Sequence, residues 1–465
     1  MSLVFVSFSS CPAMLRFQPC VAHCGHGISA LVAVRRKGRD VALGVGRYTT
    51  ECIAGSGQVQ TRQKAQNALP LGSGIPVDVR PSVWNHSRWF RGHTMQRRPA
   101  GPRVACAGAP PSEAPDSSGR KKLVFLGTPD VAAVVLRDLV SASIESQTSA
   151  ETTPWEVSAV VTQPGRPKGR GKVAQPSPVH SAALELGIPE SRIFCPIKAS
   201  EKEFLSSLDA LSPDVCVTAA YGNYLPTSFL NIPVHGTLNI HPSLLPLYRG
   251  AAPVQRSLED GVRKSGVTVL FTVKEMDAGP IVCQAEFEVG ENATSTELLD
   301  SLFRLGTKRL IACLPQVWDG RVQEMVRAQD HELATHAGKI GRDEGRMRFE
   351  QAEVEHNKAR AFHGWPGTYG TFLMVGEQGK EEEIEIKVLE TRVRPGSDAF
   401  PEWDEPGEGQ RVVLDKAANA MVLRCADGCV LELRRLQSPG KKPVDAKSFG
   451  NGLGGRKLYW RSSFH

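Results

Sequence analysis

Between residues 121 and 222 the chain repeats one device: a short, largely apolar run that stops at a turn signal. Lys121 to Leu126 reads K-K-L-V-F-L and runs into Gly127-Thr128-Pro129-Asp130. Val157 to Val161 runs into Thr162-Gln163-Pro164-Gly165, and Asp214 to Thr218 into Ala219-Ala220-Tyr221-Gly222. Continuous apolar runs of this length are what strands covered on both faces require, in contrast to the alternation of a half-wet sheet. Helical spacing fills the intervals, at Val131 to Leu139 and Ser177 to Leu186. Strand, tight turn and helix in succession predict an α/β domain, Rossmann-like with a parallel-rich sheet. In such sheets the strand carboxyl ends open on one crevice, the usual position for a ligand.

A further apolar run ends in Leu238-Asn239-Ile240-His241-Pro242. Asn239 and His241 stand two apart, so an extended backbone points both to one face. Pro242 has no N–H for a ladder bond and ends the strand. An amide and an imidazole at a strand end suit a polarised carbonyl: the amide donates to a developing oxyanion, and the imidazole passes protons near neutral pH. The same pair could serve only to satisfy its own loop backbone. Downstream, Val267, Val269, Phe271 and Val273 alternate as a strand should and lead to Asp277-Ala278-Gly279. A carboxylate there could orient the imidazole and stabilise its charged form.

Asn239 to Ser257, N-I-H-P-S-L-L-P-L-Y-R-G-A-A-P-V-Q-R-S, with M-D-A-G at Met276 to Gly279, resembles the folate-dependent formyltransferases. The resemblance extends from about Lys122 to Trp460 and includes G-T-P-D at Gly127. It implies that Asn239, His241 and Asp277 are the catalytic trio. It further implies a cleft that holds the pterin of 10-formyltetrahydrofolate against Tyr221, Gly222, Leu225, Pro226, Ser243, Leu244, Leu245 and Pro246. The implied reaction moves a formyl group from that donor to the amino group of methionine carried by initiator tRNA, without a metal, in a monomer.

Arg166, Lys168, Arg170 and Lys172 alternate with Gly and Pro in a cationic loop. Such a loop suits a phosphate backbone, where Lys and Arg gain by releasing counterions, although most charge runs are simply solvated faces. The tRNA-acting formyltransferases carry a similar loop, which assigns these four residues, and with them Arg249, Lys441 and Lys442, to tRNA. After an expected linker at 319–345, Ile384 to Val388 and Cys429 to Leu433 alternate as half-buried strands. F-H-G-W-P-G-T-Y from Phe362 and L-Q-S-P-G-K-K from Leu436 resemble the family's carboxyl-terminal domain, an OB-like β-barrel that touches tRNA. Leu247 stands where tRNA-acting members often carry a basic residue, and Pro443-Val444 replaces a small-apolar pair. Deformylation of the folate, or formylation of a small amine, would use the same trio but needs neither the basic loop nor the last domain. An RNA-binding protein without catalysis would place no demand on the trio.

The net charge of +7 is unevenly placed. Residues 1–120 hold 15 Lys and Arg against 5 Asp and Glu, which leaves 41 against 44 from the whole-chain 56 and 49. Any polyanion must therefore be met by local patches on the remainder. The front segment has no acidic residue before Asp40 and is rich in Arg, Ser, Gly and Ala, as organellar presequences are. It runs into a disordered-looking linker. Val104-Ala105-Cys106-Ala107 resembles a chloroplast processing site, with cleavage expected before Ala107 and residence in the chloroplast stroma or mitochondrial matrix. No run approaches the roughly 18 apolar residues of a membrane span. Of eleven cysteines, the six after residue 120 read as reduced, and Cys425 and Cys429 lack partners at zinc-site spacing.

Overall fold

The computed structural model describes residues 119–148, 153–167, 174–394, 400–403 and 409–461, with the backbone of three further strands. Those three, Ile28–Arg36, Arg39–Ile53 and Gln60–Gln66, pair antiparallel in a sheet of their own. The processing site at Ala107 and the loop residues Lys168, Arg170 and Lys172 lie outside the described residues.

The main sheet of the first domain has seven strands: β1 (Lys121–Gly127), β2 (Trp155–Val161), β3 (Ile193–Phe194), β4 (Val215–Ala219), β5 (Thr237–His241), β6 (Lys264–Phe271) and β7 (Ile281–Glu288). Their order across the sheet is β7-β6-β5-β4-β1-β2-β3. β5 to β3 run parallel, and β6 and β7 add an antiparallel edge. The continuous apolar runs are explained by cover on both faces, with Leu123 and Phe125 facing one core and Val124 and Leu126 the other.

Helix α1 (Asp130–Thr148) continues nine residues past Leu139, where its apolar spacing predicts an end. Its serines hide the extension without opposing it. Ser143 and Ser146 are buried, each donates back to a carbonyl three residues earlier, and Ser146 Oγ also accepts from the Trp155 N–H at 3.2 Å. Helix α2 spans Pro178–Glu185 and α3 Lys202–Leu211. Helix α4 (Ser295–Trp318) begins with a capping box, in which Thr294 and Glu297 satisfy each other's end of the helix. Gly306 lets α4 seat against β5: a Cβ there would meet Ile240 Cγ2 at 2.5 Å and Val267 Cγ2 at 2.7 Å.

The second domain opens with α5 (Ala352–Ala361), a helix ahead of the expected β-barrel, which buries His356, Asn357 and Arg360 along with its alanines. Thr368–Val375, Glu381–Arg394, Gln410–Asp415, Ala420–Arg424, Val430–Gln437 and Lys457–Trp460 then close into a six-strand antiparallel barrel. Closure joins Glu381–Arg394 to Val430–Gln437 and leaves neither of these strands as a free edge. The barrel core, around Phe349, Phe372, Leu423 and Leu433, is separate from that of the sheet domain.

Residues 319–345 do more than connect. Ile281 and Arg327 form an antiparallel bridge, and His336–Ala337 pairs in parallel with Arg249–Gly250. The stretch therefore runs along the β7 edge and across the loop that follows β5.

Candidate active site

β5 delivers Asn239 and His241 to the carboxyl edge of the sheet, with His241 buried at 4% exposure. Pairing with β4 sets Asn239 opposite Thr218, whose hydroxyl donates to Asn239 Oδ1 at 2.8 Å. Asn239 Nδ2 then faces the Asp277 carboxylate, 3.5 Å from Oδ1. A carboxylate can only accept, so the end of the amide that faces Asp277 is the nitrogen, which leaves Oδ1 to the Thr218 hydroxyl.

Asp277 follows β6 in a turn with φ +50°, a conformation that a short polar side chain tolerates better than most. Its Oδ2 accepts the Gly250 N–H at 2.9 Å, which pins the carboxylate. Its Oδ1 lies 3.7 Å from His241 Nδ1. The three side chains separated along the chain thus converge on one carboxylate oxygen. The imidazole is not oriented as the sequence suggests, however. His241 Nε2 lies 3.0 Å from the Tyr248 carbonyl, which can only accept, so Nε2 carries the proton and Nδ1 is the free base in the neutral ring. Tyr248 rather than Asp277 selects the tautomer, because the loop after Pro242 turns its own carbonyl inward.

Three non-glycine residues with positive φ ring this edge: Ala220 (+47°), Tyr248 (+60°) and Asp277 (+50°). Such backbones cost about 1–3 kcal/mol each and collect at functional sites where neighbours hold them. Tyr248 is held by its N–H on Thr335 Oγ1 at 2.7 Å and its hydroxyl on Asp260 Oδ2 at 2.8 Å. Burial and the Asp260 carboxylate both push the Tyr248 hydroxyl's pKa up.

The residues expected to hold folate divide by what their side chains do. Tyr221 and Leu225 are buried beside the β4 edge, and the Tyr221 carbonyl accepts from Thr128 Oγ1 at 2.8 Å and Gln163 Nε2 at 3.1 Å. Gly222 takes φ +81° and Pro226 is half-buried. Ser243 and Leu245 turn inward: Ser243 Oγ donates to the Leu247 carbonyl at 2.7 Å, and Leu245 packs with Leu270 and Ile281. Leu244 packs over Gly266, and Pro246 is half-buried. This second group can offer a ligand mainly backbone.

Of the cationic residues, Arg166 is exposed and bonds Gln163 Oε1 at 2.6 Å, while Lys441 and Lys442 stand exposed on the barrel loop after Gln437. Arg249 is engaged within the protein. Its Nε and Nη2 donate to Gln329 Oε1 at 3.0 and 2.6 Å, and Nη1 lies 3.2 Å from His331 Nδ1. Burial lowers its pKa, and the Asp277 carboxylate opposes that shift. Sequence reasoning missed Thr218, Tyr248 and Gln329. Only the first had a signal, as a hydroxyl at the end of the strand beside β5.

Residues 121–314 match the family described as formyl transferase, and residues 339–454 match its carboxyl-terminal domain. A curated methionyl-tRNA formyltransferase of Sulfurihydrogenibium sp. is 35% identical over 326 residues, covering 70% of this chain and 94% of that protein. Those of Listeria innocua and Thermotoga neapolitana are 35% and 36% identical, covering 72% and 71% of this chain and 96% and 95% of theirs. With both family matches and 35–36% identity over 94–96% of those proteins, the chain belongs to the formyltransferase family, in the branch of the methionyl-tRNA formyltransferases.

Proposed function

We propose that the enzyme transfers the formyl group of 10-formyltetrahydrofolate to the α-amino group of methionine esterified to initiator tRNA. The observation that carries this reading is the convergence of Asn239 Nδ2 and His241 Nδ1 on Asp277 Oδ1. An amide donor, an unprotonated ring nitrogen and a carboxylate within one small volume match what formyl transfer to an amine needs. The amine attacks as the free base, and an α-amino group titrates near roughly 8. Asn239 Nδ2 donates to the oxyanion that develops on the formyl oxygen. His241 Nδ1 takes the proton that the attacking nitrogen sheds, and Asp277 Oδ1 lies against the imidazolium so formed. The bond to the donor nitrogen then breaks, that nitrogen takes up a proton, and the formyl group stays on the amine.

Arg166, with its neighbours Lys168, Arg170 and Lys172, and the barrel lysines Lys441 and Lys442 supply cationic positions for the tRNA backbone. The basic front segment supports service in chloroplast or mitochondrial translation initiation.

The test is an assay with the formyl donor, charged initiator tRNA and free amines side by side. Formyl is expected on the tRNA alone. Deformylation of the folate without acceptor, or transfer to small amines at equal rate, would overturn the assignment. Asn239→Ala should lower turnover by about 10²–10³-fold while tRNA affinity stays close to wild type.

A further inference from the structure

Gln329 lies in residues 319–345, the strap between the domains, in a stretch that neither family match covers. It is 6% exposed, and all of its hydrogen-bonding capacity is spent on the two loops that build the site. Its Nε2 donates to the carbonyls of Asp277 and Gly279, each at 2.8 Å. Its Oε1 accepts from Arg249 Nε and Nη2. Arg249 is followed at once by Gly250, whose N–H holds Asp277 Oδ2. The strap residues His336 and Ala337 pair with Arg249 and Gly250, so the same segment grips this loop by its backbone as well. The contacts form a closed circuit: Gln329 holds the Asp277 backbone on one side and Arg249 on the other, and the Arg249 loop holds the Asp277 carboxylate. A carboxamide fits this place because it donates twice in one direction and accepts in the other; Glu could only accept and Lys only donate.

We propose that Gln329 is a positioning residue for the formyl transfer, and that Arg249 is its partner in the clamp rather than a phosphate contact. Together they hold the Asp277 carboxylate at the distance from Asn239 and His241 that the reaction uses. The inference rests on the proposed reaction for its kinetic readout and on geometry alone for the rest. A misplacement on the scale of 1 Å at a reacting centre costs about 10²-fold in rate, so loss of the clamp should be read in the chemical step.

The test compares the full-length wild type with Gln329→Met, Arg249→Met and the double variant. Single-turnover formylation is measured with enzyme in saturating excess, so that the rate constant does not depend on the fraction folded, and tRNA affinity is measured in parallel. Each single variant should lower the rate constant by about 10- to 100-fold, and the double by no more than the larger single loss, because both break one circuit. The tRNA Kd should stay within about two-fold in all three. Weaker tRNA binding and a shallower salt dependence in Arg249→Met alone would restore Arg249 to the phosphate contacts and overturn the proposal. Equal, multiplying losses would also overturn it. Gln329→Glu is nearly isosteric and guards against misfolding: it keeps the acceptor for Arg249, sets a carboxylate against two carbonyls, and should be at least as slow as Gln329→Met. If the wild type formylates no tRNA, the substrate reading fails separately. Hydrogen exchange of the Gly250 amide, which needs no substrate, should then still be faster in Gln329→Met, and unchanged exchange would overturn the clamp.

Discussion

Thr218→Val replaces one hydroxyl with a methyl of nearly equal volume behind the proposed oxyanion donor. The Thr218 hydroxyl is buried and makes a short, well-placed bond of 2.8 Å to Asn239 Oδ1. Without it, a half-buried amide oxygen has lost its donor, at a cost of about 1–3 kcal/mol. A methyl favours neither end of the amide, which is then free to turn over and bring its oxygen instead of its nitrogen to the cleft. Turned, the oxygen would face Asp277 Oδ1, now 3.5 Å from the nitrogen, and two acceptors would oppose each other. Asp277 therefore limits the loss. Thr218→Val alone should slow single-turnover formylation by about 3- to 10-fold, the upper figure corresponding to about 1.4 kcal/mol. In an Asp277→Asn background the barrier to turning is gone, since an amide at 277 can donate to the turned oxygen. The same Thr218→Val change should then cost about another ten-fold more than it costs alone. Thermal midpoints should move by only a few degrees, because the methyl regains apolar contact. Equal factors in the two backgrounds, or no loss in either, would show that Thr218 does not set the amide's orientation.

Gly250→Ala would bring a Cβ to 2.5 Å from the Ala337 carbonyl at φ +129°, and should lower both the unfolding free energy, by about 1–3 kcal/mol, and turnover, because the Gly250 N–H holds Asp277. Differential scanning calorimetry and initial rates check the two effects. Burial, aided by Arg360 and Arg392, lowers the pKa of His356 on α5, against the opposing pull of its bonds from Nε2 to the Glu291 carbonyl at 3.1 Å and between Nδ1 and the Thr391 hydroxyl at 2.9 Å. The unfolded chain binds this proton near pH 6.5, so the stability His356 confers is present above that pH and is lost as pH falls through the lower folded value, at up to about 1.4 kcal/mol per unit. Melting temperatures taken from pH 7.5 to 5 should fall less steeply in His356→Asn than in the wild type. If Lys441 and Lys442 each meet one phosphate, their joint replacement by Ala should flatten the log–log salt dependence of tRNA affinity by about two units of slope, and an unchanged slope would remove them from the interface.

The sequence by itself determined the elements that local chemistry controls. Buried strands announce themselves as unbroken apolar runs, so β1, β2, β4 and β5, the helices at 131–139 and 177–186, and the placing of Asn239 and His241 on one face of β5 were legible, whereas β7 and α3 were not. The length of α1 was not, because Ser143 and Ser146 look like loop residues until their hydroxyls are seen to bond the helix's own carbonyls. Nor was α5, whose buried Arg360 and His356 read as surface residues.

Only the tertiary structure decided how the three functional groups are aimed. Which ring nitrogen of His241 is free depends on a loop turning the Tyr248 carbonyl inward. Which end of the Asn239 amide faces Asp277 depends on the register between β4 and β5. Asp277 is fixed by Gly250, 27 residues before it, and by Gln329, 52 residues after it. Residue type and spacing state what a side chain can do within a strand or a turn. The partner of a hydrogen bond across such separations is set by strand register and by φ values in irregular loops, which no local pattern encodes.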